Sequence, residues 1–141
     1  MLESIVKEVI SRKKASVYAV AITEGQRMMG EAKQNAPWTD RTATTRGAIH
    51  GGAEISPNGA TLYLAHGNKV GWYLEEGTGI YGPKGKPIRP KTAKALAFQT
   101  PDGFVITKGV KGMPAQPSIK PTVERNFQKV ARRVAEVVRD A

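Results

Sequence analysis

Two tight-turn sequences divide the middle of the chain into short apolar stretches. The first, Pro57-Asn58-Gly59, separates Ala48–Ile55 from Ala60–Ala65. Asn-Gly is among the strongest short turn signals, because it fits the tight connections that antiparallel strands use. The second turn, Thr100-Pro101-Asp102-Gly103, lies within KALAFQTPDGFVITKG. The sequence therefore predicts two β-hairpins.

Long helical patterns flank this central region. The first 35 residues carry apolar positions at helical spacing, and the residue before Pro37 is pushed out of the α region, so a helix ends there. The polar insert SRKKAS either breaks this helix or is its more exposed middle. The last helix carries one apolar stripe, formed by Ile119, Val123, Phe127, Val130, Val134 and Val137.

These elements predict one α+β domain over residues 1–141. Four strands in two hairpins are expected to form a small antiparallel four-stranded sheet, on which both long helices bury their stripes. The stretch VGWYLEEGTG predicts a short helical turn that places Trp72, Tyr73 and Leu74 against the core. A long, extended loop rich in Gly and Pro is expected to project at about residues 77–94.

That loop contains a G-x-G-x-x-G pattern at Gly77, Gly79 and Gly82. A dinucleotide-binding fingerprint needs a helix to begin at these glycines, so that the N-terminus of the helix faces the pyrophosphate. The run PKGKPIRP follows instead, and its prolines prevent a helix from continuing. The spacing to the later Gly-Lys pair also differs from that of a phosphate-binding Walker loop. We expect no cofactor here.

The loop is strongly basic and contains no acidic residue after Glu76. Its prolines stiffen it, which lowers the entropy lost on docking, so we expect it to contact a partner or a neighbouring subunit. The alternative is a solvated excursion. The residues expected to make these contacts are Tyr81, Lys84, Lys86, Arg89, Lys91 and Lys94. Asp40 and Arg41, in the polar stretch WTDRTATTR, either pair with a neighbouring subunit or form a local turn.

Composition narrows the classes of function. The chain has no cysteine, which excludes thiolate catalysis and Cys-ligated zinc. His66 precedes Glu75 and Glu76, but no catalytic or metal-ligand spacing accompanies them, so we expect neither an enzyme nor a metal site. The net charge of +10 favours nucleic acid, acidic protein or anionic lipid as a partner.

No apolar run approaches the roughly 18 residues that a membrane span needs. In the N-terminal stretch MLESIVKEVISRKK the positive charges follow the apolar residues, which is the wrong order for a signal peptide. We therefore expect a protein that stays or assembles in the cytoplasm.

Three stretches, taken in order, carry a family likeness: EAKQNAPWTDRTATTRGAI, YLAHGNKVGWYLEEGTG and MPAQPSIKPTVER. Together they resemble the small head–tail joining proteins (neck or tail-completion proteins) of long-tailed phages and prophages. That family shows a helix ending in Ala-Pro, an aromatic residue before an E-x-G-T centre, and a P-A-x-P exit. The chain departs from the family pattern at two places. Ala43 and Arg46-Gly47 replace the usual glycine-leucine pattern after the D-R-T, and Ser118 stands where the family often has phenylalanine.

The resemblance implies a non-enzymatic virion component at the head–tail junction. It implies a cyclic homo-oligomer, sixfold or twelvefold, that docks on other neck, connector or tail proteins. The basic charge would then make non-specific contact with DNA in the lumen or complement acidic protein surfaces. The resemblance leaves open whether the station is tail completion, tail terminator or head closure. The alternatives are a small basic nucleic-acid-binding protein and a nuclease that uses His66.

Overall fold

The computed structural model describes residues 1–39, 43–100 and 102–140, and it confirms the α+β class. Two long helices, α1 (Leu2–Asn35) and α4 (Ile119–Asp140), enclose the remaining elements in sequence. These are α2 (Thr44–Gly47), β1 (His50–Ser56), β2 (Gly59–Ala65), α3 (Lys69–Glu76), a 3₁₀ turn (Gly79–Tyr81), β3 (Leu96–Thr100) and β4 (Gly103–Thr107). Backbone contacts group them into unit 1, Met1–Gly67 with Ser118–Ala141, and unit 2, Asn68–Pro117.

Both predicted hairpins form at their turn sequences. In unit 1, β1 pairs with β2 and Ser56 lies opposite Gly59, whereas in unit 2, β3 pairs with β4 and Thr100 lies opposite Gly103. The expected joining of the hairpins is wrong, because the described strands form two separate two-stranded sheets. A turn sequence specifies pairing within its own hairpin. Pairing between hairpins depends on contacts between distant residues, for which the sequence contains no comparable signal.

Helix α1 is continuous over 34 residues and passes through SRKKAS without a break. Two ion pairs at i,i+4 spacing support its first turns, Glu3–Lys7 at 2.9 Å and Glu8–Arg12 at 3.1 Å. It ends as predicted, because Ala36 has an extended backbone before the proline. Despite its length, neither α1 nor another helix in the described ranges is apolar enough to span a membrane.

The C-terminal half of α1 lies directly on β1 at a contact made by glycines. A Cβ atom on Gly25 would lie 2.6 Å from the carbonyl oxygen of Gly52, and one on Gly51 would lie 2.6 Å from the carbonyl oxygen of Gly25. No side chain fits between the two backbones, so helix and strand approach closely. Met28 and Ile49 are buried in this unit, with 3% and 1% of their surface exposed.

Helix α4 packs mainly on α1 and only slightly on the β1–β2 hairpin. The prediction that its apolar stripe is buried is wrong at Val123 and Phe127, of which 36% and 68% is exposed. Thr122 and Asn126 are buried instead. The reason lies in α1, which presents charged side chains to α4, so the matching face of α4 is polar.

A network of charged and amide groups joins the two long helices. Glu24 is fully buried, and its Oε2 accepts hydrogen bonds from Nε and Nη2 of Arg27 at 2.8 and 2.6 Å. Arg133 from α4 donates to the other oxygen of Glu24. Asn126 accepts from Arg27 at 2.9 Å and donates to Glu31 at 2.9 Å. The buried carboxylate is therefore paired on both oxygens, as burial of a charge requires.

In unit 2, helix α3 begins where Asn68 Oδ1 accepts a hydrogen bond from the backbone N–H of Gly71 at 2.9 Å. The expected packing of Trp72 and Tyr73 against the core is wrong, because 57% and 54% of these residues is exposed. Gly71 is the buried residue of this short helix. Because this two-turn helix buries the side that carries Gly71, Trp72 and Tyr73 are exposed to solvent.

Candidate interaction surface

The glycine-rich segment of unit 2 is held by a second backbone segment at residues 111–113. The N–H of Thr78 donates to the carbonyl of Met113 at 2.9 Å, and the N–H of Met113 donates to Thr78 Oγ1 at 2.8 Å. The N–H of Ile80 donates to the carbonyl of Lys111 at 2.8 Å. Residues 77–82 of the predicted loop are thus anchored.

The glycines allow this contact. Gly79 has φ +62°, and a Cβ atom there would lie 2.0 Å from the carbonyl oxygen of Lys111. Gly112 has φ +96°, and its Cβ would lie 2.2 Å from the carbonyl oxygen of Thr78. Both positions therefore need glycine for conformation and for space. After Gly82 the chain forms turns and bends instead of a helix.

A second anchor closes the basic part of the loop. Ile88 and Val110 form an isolated antiparallel bridge, with N–H to carbonyl distances of 2.8 and 3.0 Å. Gly109 lies beside the side chain of Arg89, because a Cβ built on Gly109 would be 3.4 Å from Arg89 Cγ. The residues between the two anchors contain a turn in which the N–H of Gly85 donates to the carbonyl of Gly82 at 3.1 Å.

The structure places most of the predicted contact residues on the outside of unit 2. Tyr81 ends the 3₁₀ turn and is 47% exposed. The basic residues of the loop are also exposed, and the bridge at Ile88 adds Lys108 and Lys111. We call these seven residues the basic surface: Lys84, Lys86, Arg89, Lys91, Lys94, Lys108 and Lys111. Asp40 and Arg41 lie outside the described residues.

Sequence reasoning missed Lys108 and Lys111, because they lie 14 and 17 positions after Lys94 at the end of the loop and belong to a different local pattern. Only the pairing of Ile88 with Val110 brings them to the loop. A weak signal existed in the sequence. Residues 77–117 contain Asp102 as their one acidic residue, so basic residues anywhere in that stretch had few possible partners within it.

The basic surface differs in ion pairing from the arginines between the helices of unit 1. Within the described residues, no member of the basic surface makes an ion pair or a side-chain hydrogen bond. In unit 1, by contrast, Arg27, Arg125 and Arg133 are bound to the buried or half-buried carboxylates of Glu24 and Glu31. These three arginines of unit 1 therefore hold α1 and α4 together, whereas the charges of the basic surface are available to another molecule.

A second exposed feature is apolar and belongs to unit 1. Lys13 of α1 contacts the backbone of Val138 near the end of α4, and Lys14 donates to the carbonyl of Pro57 at the tip of the β1–β2 hairpin at 3.0 Å. The residues of α1 before these contacts are all exposed. We call Leu2–Arg12 the α1 overhang, and at 1.5 Å per residue it extends about 16 Å.

One side of the α1 overhang carries an apolar stripe. Its positions follow i, i+3, i+4, i+7 and i+8, the spacing of a helix face that packs on another surface. The exposed fraction of these side chains runs from 77% at Leu2 to 39% at Val9. The stripe consists of Leu2, Ile5, Val6, Val9 and Ile10.

Unit 2 has an apolar patch of its own on the β3–β4 hairpin. Phe104 and Ile106 point to the same side of the sheet and are 63% and 68% exposed. Their cross-strand partners on that side, Gln99 and Ala97, are exposed as well. Across the described residues, twenty large apolar side chains are exposed and five apolar residues are buried. The single chain thus leaves many large apolar side chains in contact with solvent.

The described residues contain no cluster of three or more His, Asp and Glu side chains that could hold a metal ion. A shallow groove beside α1 and α4 is lined by Ser16, Glu136, Val137 and Asp140, and Ser16 Oγ donates to the carbonyl of Arg12 at 3.1 Å. Comparison of the chain with family models, with curated proteins and with solved structures found no match.

Proposed function

We propose that this protein is a non-enzymatic structural component of a tailed-phage virion, located at the head–tail junction. In this proposal it forms a cyclic homo-oligomer and docks on neighbouring neck, connector or tail proteins. The resemblance in the three sequence stretches supplies the class of particle. The observation that carries the assembly role is the α1 overhang.

The α1 overhang supports assembly because it lacks support within its own chain. Helical segments of about a dozen residues are marginal in water unless an apolar face is covered. Here the apolar stripe is exposed on all five residues, so folding of the single chain leaves it uncovered. A neighbouring copy in a ring would cover it. The patch at Phe104 and Ile106 offers a second apolar contact, as a protomer between two neighbours requires.

The experiment that tests this proposal is quantitative mass spectrometry of purified particles made from the source genome. Copies of this chain are counted relative to the tail-tube protein of the same particles. The proposal predicts a number equivalent to one small ring per particle. Absence of the chain from the particles, or a copy number comparable to that of the tube or capsid protein, would overturn the proposal.

A further inference from the structure

We propose that the basic surface of unit 2 binds the phosphate backbone of double-stranded DNA without reading its sequence. The inference deepens the proposed function, because it names DNA as a partner of the assembled ring. The inference rests on the proposed function only for the location of the contact with DNA, which is the head–tail junction. Binding of DNA by the isolated chain is a property of the surface itself.

The fold gathers four of the seven charges of the basic surface on a fixed backbone. Lys86 and Arg89 precede and follow Ile88, and Lys108 and Lys111 lie on either side of Val110. A strand rises about 3.3 Å per residue, so the backbones of all four lie within about 7 Å of the bridge. The carbonyl of Lys111 is held in addition by the N–H of Ile80 at 2.8 Å. The backbone that carries these four charges therefore loses little entropy when it binds.

The charges of the basic surface have no ion-pair partner in the described part of the chain, although Glu24 and Glu31 of unit 1 are paired with arginines. Seven exposed cations that make no ion pair among the described residues create a positive potential that attracts a polyanion. Neutralising such a surface with phosphates releases the counterions condensed on the DNA, which drives binding at moderate salt.

The composition of the basic surface favours DNA over an acidic protein as its partner. The basic surface contains six lysines and one arginine. Protein interfaces are enriched in Arg and depleted of Lys, because Arg is more weakly hydrated and forms bidentate pairs with carboxylates. Lysine suits contacts with phosphates that stay hydrated and that fix position without reading bases. Among nucleic acids, the duplex has the higher density of charge, and phosphate-only binding therefore favours it.

The test uses the full chain and a fluorescent duplex of about 20 base pairs, with anisotropy measured over a range of salt concentrations. The variant Arg89→Gln/Lys111→Gln removes two charges from the basic surface. Its matched control, Lys129→Gln/Arg132→Gln, removes one Lys and one Arg from α4, where both are exposed and make no ion pair among the described residues. The two variants have the same net charge, and circular dichroism checks that each keeps the wild-type melting temperature.

The wild-type chain is expected to bind two unrelated duplexes equally. Because each phosphate contact contributes about 0.9 to the slope of log affinity against log salt, the basic-surface variant should lower that slope by about 2. Its affinity should fall at least about tenfold near 0.1 M salt, while that of the control changes less than about threefold.

Several results would overturn the inference. Equal loss in both variants would mean that net charge alone attracts DNA. Failure of the wild-type chain to bind, or tighter binding of single strands, would exclude the duplex backbone. Tighter binding of poly-glutamate at equal charge concentration would assign the surface to an acidic protein. None of these results bears on the copy number in particles, so a failure here and a failure of the proposed function are separable.

Discussion

At the scale of single residues, glycines decide how closely backbones approach in unit 2. Gly79 and Gly85 both have φ +62°, but a Cβ on Gly79 would meet the carbonyl of Lys111 whereas nothing lies within 4 Å of one on Gly85. The pair separates two effects of glycine: the left-handed conformation, common to both, and the close contact, present at only one.

We expect Gly85→Ala to destabilise unit 2 by about 1 kcal/mol, the cost of a left-handed conformation for alanine. Gly79→Ala should cost about 1–3 kcal/mol more, because the new methyl group must displace a backbone segment. Hydrogen exchange of the Thr78 and Ile80 amides reports the local free energy of opening. Equal protection of these amides in both variants would show that the contact with residues 111–113 is loose enough to accept a methyl group at Gly79.

Glu31 is the residue whose titration affects the contact between α1 and α4. Partial burial favours its protonated form, but hydrogen bonds from Asn126 and Arg125 and the charges of Arg125 and Arg27 outweigh burial. The net effect lowers the pKa of Glu31 below its ordinary value of 4.5. Because the folded-state pKa is depressed, the stabilisation is complete above the unfolded value and is lost as pH falls through the folded one.

Glu31→Gln should therefore lower the free energy of unfolding by about 1 kcal/mol at neutral pH, with the gap to wild type closing as pH falls below 4.5. Urea unfolding at a series of pH values measures the gap. As a control, Glu8→Gln alters an exposed pair with Arg12 and should change the free energy by no more than about 0.5 kcal/mol. A gap between Glu31→Gln and wild type that persists unchanged at low pH would contradict this account.

At the scale of elements, the α1 overhang is the segment whose role differs from that of the rest of its helix. The C-terminal half of α1 lies against β1 through Gly25, whereas residues 2–12 are all exposed. Replacement of its exposed apolar residues should leave the folded chain intact and weaken assembly, because these residues add nothing to the core of unit 1.

We expect Ile5→Ser/Val9→Ser to unfold within about 0.5 kcal/mol of wild type, as exposed substitutions do, and to lose self-association. Lys7→Gln/Ser11→Ala, on the polar side of the same overhang, is the matched control and should associate like wild type. Light scattering coupled to size exclusion measures the mass of each variant over a range of concentrations. Association of the Ile5→Ser/Val9→Ser variant at wild-type strength would place the subunit contact elsewhere.

At the scale of the whole molecule, charged residues between the helices of unit 1 and charged residues on the surface of unit 2 have different roles. Unit 1 uses Glu24 and Glu31 to bind arginines between its helices, and unit 2 presents lysines outward. A net charge of +10 also means that copies repel one another at low salt. For a ring to form, apolar contacts must overcome that repulsion. Salt or a polyanion should promote assembly, because either one screens the positive charge.

Native mass spectrometry at increasing salt tests this expectation. A closed ring gives one dominant stoichiometry, because every apolar surface is covered when the ring closes. Addition of short duplex DNA at low salt should increase the population of the same species. A ladder of oligomers without a preferred size would indicate open, head-to-tail association and would contradict the ring.

The sequence by itself determined the two long helices and both hairpins, because their signals are local. Pro37 ends α1, the two turn sequences place both hairpins, and the prolines after Gly82 exclude a helix there. It also identified five of the seven residues in the basic surface, since these lie in one run of the loop. Each of these inferences depends on residues within a few positions of one another.

The tertiary structure decided the features that depend on distant residues. Periodicity predicts a stripe on α4 but not which surface meets it, and the charged face of α1 reverses burial at Phe127 and Asn126. The separate sheets, the α1 overhang and the addition of Lys108 and Lys111 to the basic surface have the same origin. Each arises where segments far apart in sequence pack together, and packing depends on shape and charge on both sides of a contact.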